Sequence, residues 1–240
     1  MAYYDTIAKK WHSATGYRGG PLKEFLLNDL LIGKIPDLSG RSILELGAGN
    51  GYFLPLLMRR RSGQIPNRIV VTDASAAQLD MAKTHFRIDS AEYLRLDARS
   101  QFPFEQDSFD IVLSTMMFNE VSDSGLKKAL GECSRILSDK GLLIISVIHP
   151  EFVDNLDKRD ALRNDRKGLL TMPGSKDLRV PVVRRSVQKY ERLCSWAGFS
   201  CKKEEMFPNE KVLNARPGLR DCTHIPLICV FSCSKDNSPS

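Results

Sequence analysis

Residues 43–51 of the chain read ILELGAGNG, in which a mostly apolar run leads into three glycines spaced by two. The run is typical of a buried strand, and residues 52–60 after the glycines have the character of a helix. Glycine is favoured where the backbone needs a positive φ, or where a ligand must approach the main chain without hindrance from a Cβ atom. The segment therefore predicts a strand, a tight loop and a helix, with the loop holding a nucleotide-like ligand against the helix N-terminus.

The spacing of the glycines narrows the choice of ligand. A dinucleotide fingerprint has the form G-x-G-x-x-G/A, and its third small position would fall on Tyr52. The pattern here is G-x-G-x-G, and Glu45 stands two residues before Gly47. This spacing disfavours a nicotinamide dehydrogenase, although a glycine loop on its own is also compatible with a purely structural turn.

Length and composition fit one α/β domain. The chain has 240 residues and a mass of 27.0 kDa, with 42% apolar and 27% charged residues, which is ordinary for a globular protein. Residues 1–15 contain no apolar run of the signal-peptide type. The apolar stretches 142–148 and 226–231 are too short to cross a bilayer. We therefore expect a single cytoplasmic domain, 1–240, that does not associate with membranes.

The cysteines give no sign of a metal site. None of the six belongs to a C-x-x-C pair, and none has a histidine at metal-ligand spacing. We predict that no metal is bound and that all six are reduced structural residues: Cys133, Cys194, Cys201, Cys222, Cys229 and Cys233.

The charge is moderately basic and unevenly distributed. The net charge is +6, and residues 155–190 carry ten Lys or Arg against four Asp. Such a surplus admits nucleic acid or an acidic substrate as a partner. The segment lacks the interleaved aromatic residues of a single-strand stacking platform. Nucleic acid is therefore an unlikely partner.

Strand and helix patterns alternate after the glycine loop. This rhythm predicts a doubly wound sheet that binds ligands at the carboxyl ends of its strands. The predicted strands after the first are 69–72, 93–96, 109–113 and 142–148, and the predicted helices are 76–86 and 126–137.

The two ends of the chain differ from this central part. Residues 1–35 predict an amphipathic lid with a helix over 21–31, and residues 36–150 form the core. Residues 151–187 are basic and poorly periodic, which is typical of a functional lid or a linker. The remaining segment, 188–236, predicts a helix over 188–196, strands over 199–204 and 225–234, and a frayed tail over 236–240.

Acidic residues follow the second and third predicted strands. Asp73 lies 22 residues beyond Gly51, where a carboxylate can accept hydrogen bonds from both hydroxyls of a ribose. Its structural alternative is a helix N-cap, although Ser75 is better placed for that role. The pair Asp97-Ala98 occupies the corresponding position after the next strand, where Asp97 could also be an ordinary turn residue.

Together these segments resemble the class I S-adenosylmethionine-dependent methyltransferases, of the small-molecule or natural-product type. Three further strings match that family in order: PF with SFD within 102–110, E-x-x-R-x-L-x-x-x-G over 132–141, and Y-x-x-L-x-x-x-A-G-F over 190–199. The resemblance is strong over 36–150 and weak over 186–234. It implies a Rossmann-like, seven-stranded sheet whose last strand runs antiparallel between the fifth and sixth.

The resemblance also implies a cofactor site. S-adenosylmethionine would be the methyl donor and S-adenosylhomocysteine the product. The glycine loop would meet the methionyl end, Glu45 would fix the loop or accept from the ammonium group, and the later carboxylates would meet ribose and adenine. The cofactor-binding residues implied are Glu45, Gly47, Ala48, Gly49, Asn50, Gly51, Asp73, Ala74, Asp97, Ala98 and Met116.

The acceptor site is less clearly marked. Methyl transfer from a sulfonium is an in-line displacement that positioning and desolvation can largely support, so no catalytic motif is required. His149, before Pro150 at the end of the fifth strand, is the candidate base or orienting group because its charge changes near neutral pH. Alternatively, it is a hydrogen-bonded histidine that shapes the bend before proline.

Aromatic residues of the lid and residues after the fourth strand complete the predicted acceptor pocket. Asn119 and Glu120 stand where many relatives carry a histidine, so a role carried over from that histidine does not apply. An aromatic pocket that contains methionine favours an apolar or heteroaromatic acceptor. The predicted acceptor residues are Tyr4, Trp11, Tyr17, Phe118, Asn119 and His149.

The function predicted from the sequence is therefore methyl transfer to a nitrogen or oxygen of an aromatic or heterocyclic secondary metabolite. Two alternatives stay open. One is an RNA or protein methyltransferase that uses the basic segment 155–190, and the other is a non-catalytic S-adenosylmethionine-binding protein. We expect a monomer or a homodimer.

Overall fold

The computed structural model describes residues 3–160, 169–171 and 178–235. The predicted tail 236–240 and parts of the predicted insert, 161–168 and 172–177, lie outside the described residues.

Seven strands form one sheet, and two short strands form a separate hairpin. The strands are β1 (Ser42–Leu46), β2 (Arg68–Asp73), β3 (Ala91–Arg95), β4 (Phe109–Thr115), β5 (Leu137–Ile148), β6 (Leu169–Thr171), β7 (Arg179–Pro181), β8 (Phe199–Met206) and β9 (Ile228–Lys235). The order in the sheet is β3-β2-β1-β4-β5-β9-β8. Strands β1 to β5 pair in parallel, whereas β9 is antiparallel to both β5 and β8. The predicted sheet and its inserted last strand are confirmed.

Helices cover both faces of the sheet, and the start of several is fixed by a capping serine. The side chains of Ser75, Ser122 and Ser186 each accept a hydrogen bond from a backbone N–H three residues later. The predicted helix 21–31 consists of a π-helical turn, Lys23–Leu27, that continues into α2. The α-helices are α1 (Tyr3–Thr15), α2 (Asn28–Lys34), α3 (Phe53–Arg60), α4 (Ala76–His85), α5 (Asp123–Ile136), α6 (Pro150–Asp160), α7 (Val187–Trp196) and α8 (Glu210–Ala215).

The core consists of two apolar clusters on opposite faces of the sheet. Strand β1 contributes to both, because Leu44 and Leu46 pack in one cluster and Ile43 packs in the other. Burial on both faces explains why this strand is a nearly continuous apolar run. None of the described helices combines the length and apolar character that a membrane crossing requires.

The segment after β5 is more ordered than the sequence predicts. The prediction of a poorly periodic 151–187 is wrong for its first part, where α6 packs through a buried Phe152 and Val153 and a half-buried Leu156. Charged residues interrupt this apolar stripe, so the composition of the segment does not indicate a helix. Helix α8 and the 3₁₀ turn Pro217–Cys222 are likewise absent from the prediction.

Two of the six cysteines are not reduced. Cys201 and Cys233 lie directly opposite each other in the pairing of β8 with β9 and form a disulfide. The prediction that all six are reduced is therefore wrong, because spacing along the chain does not reveal the cross-strand register. The Cys194 thiol is buried, and the sulfur atoms of Cys194, Cys201 and Cys233 all lie within 4.8 Å of one another.

Candidate functional site

A cavity of about 430 Å³ lies at the carboxyl ends of β1, β2, β3 and β4, beneath helix α1. This is the edge of a parallel sheet where α/β proteins bind ligands, and the volume lies in the range of small-molecule sites. The cavity is lined by residues of the glycine loop, of the strand ends and of the N-terminal segment. Of the predicted residues, those in the lining are Tyr4, Trp11, Gly47, Ala48, Gly49, Asn50, Asp73, Ala74, Asp97, Ala98 and Met116.

The three glycines of the loop have different roles. All have positive φ, at 66° for Gly47, 60° for Gly49 and 77° for Gly51. A Cβ on Gly47 would lie 2.5 Å from the side chain of Met117, and one on Gly51 would lie 2.5 Å from the Cβ of Ala82. These two glycines serve packing, and Gly51 is not part of the cavity lining. A Cβ on Gly49 would meet only the Trp11 ring, at 3.9 Å, so Gly49 keeps the main chain open toward the cavity.

Asp73 joins the end of β2 to the glycine loop. Its Oδ2 accepts a hydrogen bond from the Gly49 N–H at 2.8 Å, and its Oδ1 accepts one from the Ser75 N–H at 2.8 Å. Burial raises the pKa of this carboxyl, while the backbone N–H donors act in the opposite direction. A carboxylate with both oxygens fixed at the cavity wall is suited to accept from a diol.

Asp97 lines the cavity at the end of β3 and is held by an arginine that the sequence analysis did not single out. Arg99 donates from Nε to Oδ1 at 2.9 Å and from a terminal nitrogen to Oδ2 at 2.6 Å. This hydrogen bonding with Arg99 lowers the pKa of Asp97. Both residues belong to the lining, so a ligand here meets an ion pair.

Glu45 lies below the loop, outside the lining of the cavity. Its side chain is fully buried, and neither carboxylate oxygen has a hydrogen-bond partner among the described residues. Burial raises the pKa of Glu45 to about 8, and the attraction of Lys23 opposes that rise. Burial likewise lowers the pKa of Lys23 to about 8. Lys23 and Tyr52, whose ring lies 5.5 Å from the ammonium, are lining residues that the sequence analysis missed.

Helix α1 closes one side of the cavity. Asp5 accepts a hydrogen bond from the Ser75 hydroxyl at 2.6 Å, which attaches the lid to the start of α4. Tyr4 and Trp11 pack edge to face, with ring centroids 5.3 Å apart, and both line the cavity. Tyr17 does not line it, because its ring is 66% exposed and packs against Phe86 on the outer side.

A second, smaller cavity of about 110 Å³ adjoins the first. Its walls are mainly apolar and include Ile148, Phe152 and Val180. Asn119 lines it while only 3% exposed, and the Asn119 Oδ1 has no hydrogen-bond partner among the described residues. We call this space the apolar cavity. The residues that line both cavities, and so form their border, are Trp11, Thr15, Gly19, Lys23, Met116 and Glu120.

Glu120, like Lys23, is an ionisable residue at this border that the predicted site omitted. Its Oε1 accepts a hydrogen bond from the Tyr4 hydroxyl at 2.5 Å. Burial raises the pKa of Glu120 to about 8, with the Tyr4 hydrogen bond acting in the opposite direction. Burial, followed by the charge of Glu120, raises the pKa of Tyr4, so the phenol stays a neutral donor. Glu120 could have been predicted from its position just after β4, at the same edge of the sheet as Asp73 and Asp97.

Two other predicted acceptor residues are placed away from the cavities. Phe118 is fully buried in the core and lines neither of them. His149 is 3% exposed and also lines neither, because its side chain turns toward β8, with Nε2 3.7 Å from Glu205 Oε1. Its backbone N–H donates to the Leu227 carbonyl at 2.9 Å, and burial lowers its pKa. The geometry gives His149 a structural place at the end of β5 and does not support a catalytic one.

Comparison with known proteins points to one family. A protein-family model described as a methyltransferase domain matches residues 44–145. A tRNA N(3)-methylcytidine methyltransferase of Drosophila melanogaster, Mettl2, is 31% identical over 113 residues, which cover 45% of this chain and 34% of that protein. A demethylmenaquinone methyltransferase of Chlamydia pneumoniae is 32% identical over 112 residues, covering 47% of this chain and 46% of that protein. The chain thus spans about a third to a half of the length of these relatives.

The similarity in fold extends further than the similarity in sequence. A methyltransferase of Haloferax volcanii, solved in complex with the methyltransferase activator Trm112, superposes with a TM-score of 0.69 at 17% identity. The superposition covers 99% of this chain and 96% of that one. At this identity the likeness concerns the fold alone.

Proposed function

We propose that this protein is a class I, S-adenosylmethionine-dependent methyltransferase that transfers a methyl group to a small-molecule acceptor, because residues 44–145 match a methyltransferase-domain model. The observation that carries the proposal is the larger cavity, where the open backbone at Gly49 adjoins the carboxylates of Asp73 and Asp97. An open backbone and carboxylates at the ends of neighbouring strands suit a ligand that contains a nucleoside.

The side chains present fit S-adenosylmethionine part by part. Asp73 would accept from the ribose hydroxyls, Asp97 and Ala98 would meet the adenine, and the backbone of the glycine loop would meet the methionyl end. The Glu45 carboxyl lies buried beneath that loop without a hydrogen-bond partner among the described residues, and a methionyl ammonium would favour its ionised form. When bound, the donor supplies an electrophilic methyl group on a sulfonium whose leaving group is a neutral thioether.

The rest of the chain would hold and align the acceptor. Tyr4 and Trp11 of the lid face the larger cavity, and Met116 lies at its border with the apolar cavity. An aromatic and aliphatic enclosure favours an apolar body such as an aromatic or heterocyclic ring. The Asn119 Oδ1 would accept a hydrogen bond from that molecule, since it is buried without a partner among the described residues. The acceptor proposed is an aromatic or heterocyclic metabolite methylated on nitrogen or oxygen.

The experiment that tests this function is incubation of the purified protein with methyl-labelled S-adenosylmethionine and a small-molecule extract of the source organism. We expect a labelled product below 1 kDa together with S-adenosylhomocysteine. Binding of the donor without any product after prolonged incubation would support a non-catalytic binding protein instead. Absence of donor binding would contradict the proposal as a whole.

A nucleic-acid acceptor is a second candidate, favoured by the net charge of +6 and by the similarity to a tRNA methyltransferase. Much of the basic segment 155–190 lies outside the described residues. This alternative requires RNA binding whose affinity falls linearly with salt on logarithmic axes. Labelled methyl groups recovered in tRNA, with salt-sensitive binding, would replace the small-molecule acceptor.

A further inference from the structure

The border between the two cavities contains a carboxylate that the methyl donor site itself does not need. Glu120 lines the larger cavity from one side and the apolar cavity from the other. Only its Oε1 has a hydrogen-bond partner among the described residues, the Tyr4 hydroxyl at 2.5 Å. The other oxygen is therefore available at the place where a donor in one cavity would meet an acceptor in the other.

The loop that carries Glu120 is held firmly. Arg185 is 5% exposed and donates to the Phe118 carbonyl at 3.1 Å and to the Val121 carbonyl at 2.6 Å. Its Nε also donates to Asp123 at 2.8 Å. These contacts bracket the loop on both sides of Glu120. A carboxylate fixed in this way has little freedom to turn away from the border.

A neighbouring buried amide points to a ligand independently of Glu120. Asn119 lines the apolar cavity, and its Oδ1 lacks a hydrogen-bond partner among the described residues. A carbonyl oxygen buried in this way costs free energy until an N–H or O–H donor reaches it. Asn119 and Glu120 are thus adjacent polar residues in the lining of the apolar cavity, whose walls are mainly apolar.

The charges around the border favour a cationic rather than an anionic acceptor. Glu120 faces Tyr4 of helix α1, Lys23 of the π-helical turn and Asp73 at the end of β2, and Glu45 lies buried behind Lys23. At the border itself Glu120 stands beside Lys23, with Asp73 in the wall of the larger cavity and Arg216 in the wall of the apolar cavity. An anionic nucleophile beside the Glu120 carboxylate would be repelled, whereas an ammonium would be attracted.

From this geometry we infer that Glu120 is the catalytic base and that the acceptor is an apolar amine. The inference rests on the proposed methyltransferase function. The ammonium of the acceptor gives one proton to the Glu120 carboxylate, which becomes a neutral carboxyl group. The freed nitrogen lone pair forms the N–C bond as the C–S bond of the donor breaks, and that electron pair stays on sulfur. The product leaves as a secondary ammonium, and Glu120 returns its proton to solvent.

Tyr4 is a positioning residue for this step. Its hydroxyl fixes one oxygen of Glu120, and the other oxygen has no hydrogen-bond partner among the described residues. The positive charge that the donor brings to the border favours the ionised form of Glu120, which offsets the effect of burial. Because Tyr4 lies on α1, the base is complete only when the lid is closed.

The test measures donor binding and methyl transfer separately. Wild type, Glu120→Gln, Tyr4→Phe and the control Glu105→Gln, whose carboxyl is exposed on a distant turn, are titrated with S-adenosylmethionine by calorimetry. Each is then assayed with labelled donor on 2-phenylethylamine, tryptamine and benzylamine, and on the corresponding alcohols, between pH 6 and 10.

We expect all four proteins to bind the donor within about threefold and the wild type to methylate an amine. Glu120→Gln should lose about 100-fold or more in kcat, in the range of general-base catalysis. Its remaining rate should rise with pH only as the ammonium of the acceptor loses its proton to solvent, at a higher pH than for the wild type. Tyr4→Phe should show a smaller loss with the same shape of pH profile, and Glu105→Gln should match the wild type.

Each contrary outcome is distinct. Failure of the wild type to bind the donor would remove the proposed function itself. Donor binding without methylation of any amine, or with methylation of the alcohols instead, would overturn the amine as acceptor. Amine methylation with an unchanged rate and pH profile in Glu120→Gln would overturn the base.

Discussion

At the scale of single residues, the sequence predicts well those site residues whose positions depend on local backbone geometry. Gly49, Asp73 and Asp97 follow strands directly, so their place at the ligand edge of the sheet does not depend on distant parts of the chain. Lys23 and Glu120 reach the same cavity from separate elements, and their meeting depends on packing that one-dimensional patterns do not encode. His149 lies outside both cavities because its side chain turns toward Glu205 of β8, a direction that does not follow from a one-dimensional pattern.

Gly49→Ala tests whether the glycine loop is open for a ligand. The left-handed backbone at this position, with φ of 60°, disfavours a Cβ by about 1–2 kcal/mol. Since the new methyl group would also point toward the cavity, we expect the affinity for S-adenosylmethionine to fall by about tenfold or more. The measurement is calorimetric titration alongside denaturant unfolding.

Gly40→Ala is the matched control, because Gly40 also has a positive φ, 70°, with nothing within 4 Å of its added Cβ. It should lose similar stability and keep its affinity for the donor. Equal affinity losses in the two variants would mean that the loop responds to destabilisation alone.

At the scale of helices and strands, a boundary was predictable where a capping serine marks it, as at the start of α4 after Ser75. Helix boundaries were not predictable where charged residues interrupt the apolar stripe, as in α6. The disulfide belongs to this scale, because the register between β8 and β9 decides that Cys201 faces Cys233.

Cys201→Ser tests that covalent link. Its loss should lower the free energy of unfolding by about 2–4 kcal/mol, since the cross-link restrains the unfolded chain. Thermal unfolding with and without reductant measures the effect. The reductant should destabilise the wild type and leave the variant unchanged. Six free thiols in the wild type by mass spectrometry, together with thermal unfolding that reductant does not change, would contradict the disulfide.

Asp5→Ala tests the attachment of the lid. The variant removes the acceptor of the 2.6 Å hydrogen bond from Ser75, which involves a charged group and is worth about 1.5–3 kcal/mol. We expect faster amide hydrogen exchange in α1 and about tenfold faster dissociation of S-adenosylmethionine.

Asp80→Ala, on the exposed side of α4, provides the comparison for this variant. It should leave both exchange and dissociation unchanged. Unaltered exchange in α1 of Asp5→Ala would mean that the aromatic contacts hold the lid without this hydrogen bond.

At the scale of the whole molecule, the alternation of strands and helices predicted a doubly wound sheet, and the family resemblance implied its seven strands and inserted last strand. The superposition on a protein only 17% identical agrees with this fold. The family match covers 44–145, a range that includes the glycine loop and the strand ends that line the larger cavity. Helix α1, the segment after β5 and Arg216 lie outside that match and supply much of the lining of the apolar cavity. The identity of the acceptor therefore depends on residues outside the family match and cannot be inferred from the relatives.

The most direct test of the central claim is calorimetric titration of S-adenosylmethionine into the wild type and into Asp73→Ala. If the cavity at the ends of β1 and β2 is the donor site, the wild type binds one donor per chain. The variant should then bind about 100-fold more weakly, because two hydrogen bonds to a charged carboxylate are lost. Equal affinity in a folded Asp73→Ala variant, or no binding by the wild type, would contradict the claim.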